Sequence, residues 1–141
     1  MTAADSIAQR LRAGYAALND GNMSGTLDEL APDVELVLSM GGPEGTLTFR
    51  GYEGIAEWAT GLGDAWRDVV FEPVEIESDA SGRRALVVVK VRTRGRVSDM
   101  GLERMETHVV ELGPTGKVTR LLGFTDPDEA RAAFEGSEPG L

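Results

Sequence analysis

Four strand-like segments fill most of the second half of the chain. They cover residues 69–76, 84–94, 102–112 and 116–124. The connections between them are short and rich in Gly, Ser, Asp and Pro, the residues that tight turns favour. From Val89 to Arg94 apolar and basic residues alternate, and this period of two is typical of an antiparallel strand with one buried face. The second half therefore predicts a meander of long antiparallel strands.

Apolar residues in the first half recur at helical spacing instead. The first stripe consists of Ile7, Leu11, Tyr15 and Leu18, and the second of Ile55, Trp58, Ala59, Leu62 and Trp66. Each stripe falls on one side of a helix. Two shorter strands are predicted at residues 34–40 and 46–50. Asp126 and Pro127 begin a C-terminal helix, because Asp caps a helix and Pro fits its first turn.

The order of these elements predicts an α+β fold. Helices with apolar stripes must pack on one face of the sheet. A strongly twisted, mostly antiparallel sheet then curves over the N-terminal helices and leaves an apolar pocket at its open end. We expect a single domain over residues 1–135 and a loose tail over residues 136–141, which are mostly Gly, Ser, Glu and Pro.

The composition excludes several kinds of site. The 141 residues include no cysteine, which rules out disulfides, iron–sulfur clusters and zinc sites with cysteine ligands. One histidine and scattered carboxylates offer no paired metal-ligand spacing. No glycine-rich phosphate loop follows a strand. We therefore expect no metal and no cofactor.

The charge and the hydropathy limit the partners and the location. A net charge of -10 repels phosphate backbones, so we expect no nucleic-acid partner. The basic run Lys90, Arg92, Arg94 and Arg96 is interpreted as a solvated strand face. No stretch is long and apolar enough to cross a membrane, and the N-terminus has no basic region followed by an apolar run. These features predict a cytoplasmic protein with no membrane contact.

Five short motifs, in this order and spacing, resemble the SnoaL-like, nuclear-transport-factor-2-like superfamily. They are residues 15–21, Tyr-Ala-Ala-Leu-Asn-Asp-Gly; 32–34, Pro-Asp-Val; 49–55, Phe-Arg-Gly-Tyr-Glu-Gly-Ile; 116–120, Gly-Lys-Val-Thr-Arg; and 124–126, Phe-Thr-Asp. The resemblance covers roughly Ser6 to Phe134. It implies a cone-shaped α+β roll of the ketosteroid isomerase-like kind, usually a homodimer through the sheet. It implies no single activity, because the superfamily includes isomerases, cyclases, epoxide hydrolases and non-catalytic modules.

Two known chemistries of this superfamily do not fit the sequence. In ketosteroid isomerases the oxyanion-hole tyrosine, the catalytic base and the protonated acid match Gly14, Leu38 and His108 here. Limonene epoxide hydrolases need an Arg-x-Asp pair on a strand and a third acid near the end of the last strand. The pair would fall in segment 89–94, which contains no acid. The third acid would fall at position 123, which is Gly123 here. SnoaL-type cyclases place an aspartate acid/base on a late pocket strand, where the comparable position here is His108.

His108 and Tyr15 are the candidate catalytic residues. His108 is the only histidine, and an imidazole exchanges a proton near neutral pH. Glu106 lies two residues away on the same strand face, where it can orient the ring. Tyr15 offers a phenol that can donate to a developing oxyanion. The alternatives are a structural histidine at a pocket rim or dimer face, and a core tyrosine.

Apolar side chains of both halves are expected to line the pocket. The predicted ligand-binding residues are Leu38, Met40, Trp58, Trp66, Glu106 and Val110. Three functions remain open on this basis. The first is a cofactor-independent isomerase or cyclase of a small apolar molecule with His108 as acid/base. The second is a non-catalytic binding domain for such a molecule, and the third is a dimeric assembly module. The sequence does not decide whether the protein is an enzyme.

Overall fold

Most helices lie in the first half of the chain and the long strands in the second half, as the sequence predicts. A computed structural model describes residues 3–39, 45–97 and 100–136. In these residues the elements are α1 (Ala3–Asn19), α2 (Met23–Asp28), β1 (Leu30–Ser39), β2 (Thr46–Arg50), α3 (Gly51–Ala65), β3 (Trp66–Ser78), β4 (Arg84–Gly95), β5 (Gly101–Leu112), β6 (Val118–Phe124) and α4 (Pro127–Phe134). Met40 and residues 137–141 of the predicted tail lie outside the described residues.

The six strands form one curved sheet in the order β2-β1-β6-β5-β4-β3. Neighbouring strands are antiparallel except β1 and β6, which pair in parallel. The parallel pair arises because β1 enters the sheet before the meander and lies beside its last strand. The predicted α+β fold, with a curved and mostly antiparallel sheet over N-terminal helices, is confirmed.

One predicted helix boundary is wrong. The apolar stripe of the second long helix was expected to extend to Trp66, but α3 ends at Ala65 and Trp66 begins β3. The backbone of Trp66 is extended, with φ -130 and ψ 142, and it pairs with Gly95 of β4. The spacing of Trp66 fits the apolar stripe of the helix. Its backbone is nevertheless extended, because Trp66 pairs with the neighbouring strand.

The two faces of the sheet pack against different helices. On the inner face a large apolar core includes Ile7 and Leu11 of α1, Ile55 of α3 and Val87 and Val89 of β4. On the outer face α4 covers a smaller cluster, whose members are Leu86, Val109, Leu122, Ala130, Ala133 and Phe134. Asp126 caps α4 by accepting a hydrogen bond from the Asp128 amide at 2.9 Å, and Pro127 occupies the first turn as predicted.

A row of alternating charges also crosses the outer face. From β2 to β4 the residues in register are Arg50, Glu35, Arg120, Glu111 and Arg84. Glu35 lies 3.2 Å from Arg50 and 3.3 Å from Arg120, and the carboxylate of Glu111 is 3.0 Å from Arg84. Such cross-strand pairs support one register of the sheet. No helix in the described part of the chain is long and apolar enough to span a membrane.

Candidate functional site

An apolar cavity of about 240 Å³ lies between the inner face of the sheet and the helices α1, α2 and α3. Most of its wall is aliphatic or aromatic: Leu11, Leu18, Leu30, Val34, Leu36, Leu38, Ile55, Trp58, Leu62, Phe71, Val110, Leu112, Val118 and Leu121. Trp58 and Phe71 contact each other with ring centroids 6.0 Å apart. A wall of this kind favours a ligand with a large apolar surface.

A chain of four polar side chains interrupts this apolar wall. The hydroxyl oxygen of Tyr15 lies 2.6 Å from Nδ1 of His108. On the other side of the ring, Nε2 of His108 lies 3.0 Å from Oε1 of Glu106. Arg104 donates from Nε and Nη2 to Oε2 of Glu106, at 2.9 and 2.7 Å. All four side chains line the cavity. We call Tyr15, His108, Glu106 and Arg104 the polar chain.

Local secondary structure explains how these residues meet. Side chains alternate between faces along a strand, so Arg104, Glu106 and His108 of β5 share the inner face. Tyr15 lies on the apolar stripe of α1, two turns after Ile7 and one after Leu11, and this stripe faces the sheet. Packing of α1 against the sheet brings the phenol hydroxyl to the imidazole, with the ring centroids 5.9 Å apart and the ring planes at 22°.

Burial and charge fix the protonation of two members of the polar chain. Burial raises the pKa of the Tyr15 phenol above its ordinary range, and the negative charge of Glu106 adds to this effect. For Glu106, burial by itself would raise the pKa. Hydrogen bonds and positive charge from His108 and Arg104 outweigh the burial and hold the pKa of this carboxyl below its ordinary value. At neutral pH Tyr15 is therefore neutral and Glu106 is ionised.

The model of the SnoaL-like domain family matches residues 11–135. This chain belongs to the SnoaL-like family. The superfamily resemblance read from the sequence motifs is thereby confirmed. A search of curated proteins finds no match.

Solved structures share the SnoaL-like fold of this chain at low sequence identity. TerC, co-crystallised with polyporic acid, is 22% identical, covers 92% of this chain and 98% of its own, and gives a TM-score of 0.72. RV0760c from Mycobacterium tuberculosis, in complex with estradiol-17beta-hemisuccinate, is 14% identical over 91% and 97% of the two chains, with a TM-score of 0.72. The epoxide hydrolase/cyclase-like enzyme SalBIII is 15% identical over 85% and 90%, with a TM-score of 0.70. At these identities the likeness shows the fold alone.

Most of the predicted site residues of this SnoaL-like domain line the cavity. They are Tyr15, Leu38, Trp58, Glu106, His108 and Val110. Trp66, predicted to line it as well, is not among the lining residues: it is the first residue of β3, whereas Phe71 of the same strand lies on the wall. Met40 lies outside the described residues. The roles of these residues in binding and catalysis stay predictions.

Arg104 is the member of the polar chain that the site prediction omitted. The period of two along β5, which places Glu106 and His108 on one face, also includes Arg104, so the signal was present in the sequence. Arg104 and Glu106 also form an Arg-x-Glu pair on β5, whereas the Arg-x-Asp pair of the epoxide hydrolases was expected on segment 89–94, which belongs to β4. Gly123, the position predicted for the third acid of the epoxide hydrolases, pairs with His108 across β5 and β6.

The charged residues of the cavity wall balance one another. Besides Arg104 and Glu106, the wall includes Arg10 and Glu29, whose Nε and Oε2 atoms are 3.6 Å apart. Each arginine on the wall thus has a glutamate beside it. A balanced wall attracts a neutral ligand at least as well as a charged one. Within residues 3–39, 45–97 and 100–136, no cluster of three or more His, Asp or Glu side chains could hold a metal ion.

Proposed function

We propose that this SnoaL-like domain binds a small, mostly apolar molecule in the cavity and transforms it by proton transfer, as an isomerase or cyclase. The observation that carries the proposal is the polar chain, which places a titratable imidazole and a phenol on an otherwise apolar wall. In this proposal His108 is the acid/base, and Tyr15 contacts the polar atom of the ligand. Glu106 orients the ring of His108 through Nε2.

The cavity size supports a ligand of one or two rings. Its volume of about 240 Å³ is somewhat below the roughly 300–1,000 Å³ typical of pockets for drug-sized ligands. It exceeds the cavity of about 150 Å³ that holds one benzene molecule. An internal space of this size also weighs against a pure assembly module, which would gain stability by filling it.

The similar structures support the same class of ligand. TerC was crystallised with polyporic acid and RV0760c with estradiol-17beta-hemisuccinate, both small organic molecules. SalBIII is described as having a role in pyran ring formation. By analogy, and without a shared set of catalytic residues, these relatives favour a small-molecule role of the cyclase or isomerase type for this chain.

A non-catalytic binding domain is the second candidate, and one observation favours it. Both ring nitrogens of His108 already lie within hydrogen-bond distance of protein atoms. A ligand proton can reach the ring only through the Tyr15 hydroxyl or after the Tyr15–His108 bond opens. If neither occurs, the polar chain holds the ring in place and the cavity only binds.

The test combines binding and turnover for the wild type and His108→Ala. A panel of one- and two-ring alcohols, phenols and ketones is screened by the shift in melting temperature, and each stabilising compound is then incubated and analysed by mass spectrometry. We expect conversion by the wild type and a loss of about 10²–10⁴-fold in His108→Ala, which should still fold. Arg92→Gln, on the outer face, is the control for unspecific effects.

The possible results distinguish the two candidate functions. Stabilisation without conversion identifies a binding domain, and equal conversion by His108→Ala excludes His108 as the acid/base. A panel that neither stabilises the protein nor is converted contradicts both candidates. The homodimer and the cytoplasmic location remain predictions.

A further inference from the structure

We propose that the cavity selects molecules whose polar group donates a hydrogen bond, such as alcohols, phenols and enols, over ketones and ethers of the same shape, and that Arg104 sets this preference. The inference deepens the proposed function and rests on it. It follows from the direction of the hydrogen bonds along the polar chain, which begins at the solvent-exposed Arg104.

Arg104 fixes the charge of Glu106. The Arg104 side chain is 52% exposed, whereas that of Glu106 is 2% exposed. A buried carboxylate stays ionised only when its oxygens receive hydrogen bonds or positive charge. Here Oε2 accepts both bonds from Arg104, and Oε1 is left for His108. Glu106 can therefore only accept a hydrogen bond from the imidazole.

The acceptor on Glu106 determines the tautomer of His108. In a neutral imidazole one nitrogen carries the proton and the other accepts. Because Oε1 of Glu106 has no proton to give, Nε2 must carry the ring proton, and Nδ1 is then the acceptor. The other groups around the ring do not compete: in register beside His108 are Val87 on β4 and Gly123 on β6, neither of which titrates.

The tautomer in turn fixes the direction of the Tyr15 hydroxyl. With Nδ1 as acceptor at 2.6 Å, the phenol must donate its only proton to the ring. The phenolic oxygen then has lone pairs left and no proton to offer. Among the described residues, His108 is the only hydrogen-bond partner found for this oxygen, and the residue lines the cavity. A ligand hydroxyl can donate a hydrogen bond to this oxygen. A ketone oxygen has no proton to donate, and its lone pairs are repelled by those of the phenol.

Loss of Arg104 should change the direction of the hydrogen bonds along the polar chain. Without the two bonds to Oε2, Glu106 gains a proton more readily and can donate to Nε2. The ring proton then moves to Nδ1 and points at Tyr15, which frees the phenol to donate. The preference should then move from donor ligands towards acceptor ligands, although Arg104 need not touch the ligand. We therefore assign Arg104 as a positioning residue.

The first experiment reads the tautomer directly and needs no ligand. Because the chain has one histidine, ring-¹⁵N labelling with a histidine-free purification tag gives the signals of a single ring. At pH 8.5 we expect the ring proton on Nε2, because Oε1 of Glu106 accepts there. Arg104→Met should raise the fraction with the proton on Nδ1.

Arg92→Met is the matched control for this measurement. Its side chain is 48% exposed, close to the 52% of Arg104, and it pairs with Glu72 at 3.0 Å on the outer face. It should leave the ring spectrum of His108 unchanged. A wild-type ring protonated on Nδ1, or on both nitrogens, overturns the inference. So does an Arg104→Met spectrum that equals that of Arg92→Met.

The second experiment compares 1-indanol with 1-indanone, which share one ring skeleton. We expect the wild type to bind the alcohol more tightly, by about three- to tenfold in Kd, the ratio that one net hydrogen bond supplies. Tyr15→Phe removes the acceptor oxygen and should bring the ratio near one, and Arg104→Met should lower it. The control Arg92→Met should keep the wild-type ratio.

The outcomes separate this inference from the proposed function. Equal or tighter binding of the ketone by the wild type, or a ratio unchanged in Tyr15→Phe, contradicts the donor preference while small-molecule binding stands. If neither probe binds at millimolar concentration and no compound of the panel stabilises the protein, the proposed function and the donor preference both fail. The histidine spectrum still decides the role of Arg104 in that case.

Discussion

The two faces of the sheet use the same kind of Arg–Glu pair in opposite ways. On the outer face, Glu35 and its arginine partners are partly exposed, and water screens their charges. On the inner face, Glu106 is almost completely buried, and its charge depends on Arg104 and His108. Exposed pairs add little to stability but favour one strand register, whereas a buried pair fixes protonation at an energetic cost. Burial thus decides whether such a pair serves architecture or chemistry.

The largest expected difference between the faces is in stability. Glu106→Ala leaves the Nε2–H of His108 buried without an acceptor, and we expect it to lower the free energy of unfolding by about 2 kcal/mol. Glu35→Ala on the outer face should lower it by less than about 1 kcal/mol, because its partners are solvated. Urea unfolding of both variants measures the contrast. Equal losses would show that the two faces are energetically alike.

A smaller effect is expected when the cavity is filled. Leu38→Trp places a large ring on the cavity wall and should weaken binding of 1-indanol by about tenfold, equivalent to about 1.4 kcal/mol. Thr48→Trp is the matched control, since Thr48 is exposed on the neighbouring strand β2. Calorimetry of both variants tests where the ligand sits. Undiminished binding by Leu38→Trp would place the ligand elsewhere.

The smallest expected effect is a loss of stability at high pH that comes from the inner face. The folded pKa of Tyr15 is raised above its ordinary value of 10.0 by burial and by Glu106. The neutral phenol therefore contributes its full stability below pH 10, and this contribution is lost as the pH rises above 10 towards the folded pKa. Between pH 9.5 and 11, the wild type should lose about 1 kcal/mol more stability than Tyr15→Phe does.

Urea unfolding at each pH gives this difference. Glu35→Ala, with its change on the outer face and Tyr15 intact, should show the same alkaline loss as the wild type. Identical pH profiles for the wild type and Tyr15→Phe would mean that the buried phenol titrates as it does in the unfolded chain.

Periodicity in the sequence predicted much of this arrangement, and its failures have a physical pattern. The period of two on β5 placed Glu106 and His108 on one face, and the stripe of α1 included Tyr15. The same reasoning misplaced Trp66, whose spacing fits α3 although strand pairing makes it extended. The site prediction also omitted Arg104, although the same period of two on β5 includes it, because its contact with Glu106 depends on the packing of the side chains.

The sequence by itself determined the α+β class, the helix and strand order, the family and the face on which each β5 side chain lies. These follow from local periodicity and turn residues, which act over a few positions. Only the tertiary structure decided that Tyr15 meets His108, a contact between residues 93 positions apart, and that Arg104 is the second partner of Glu106. Such contacts depend on how a helix packs across a curved sheet, and no local pattern encodes that geometry.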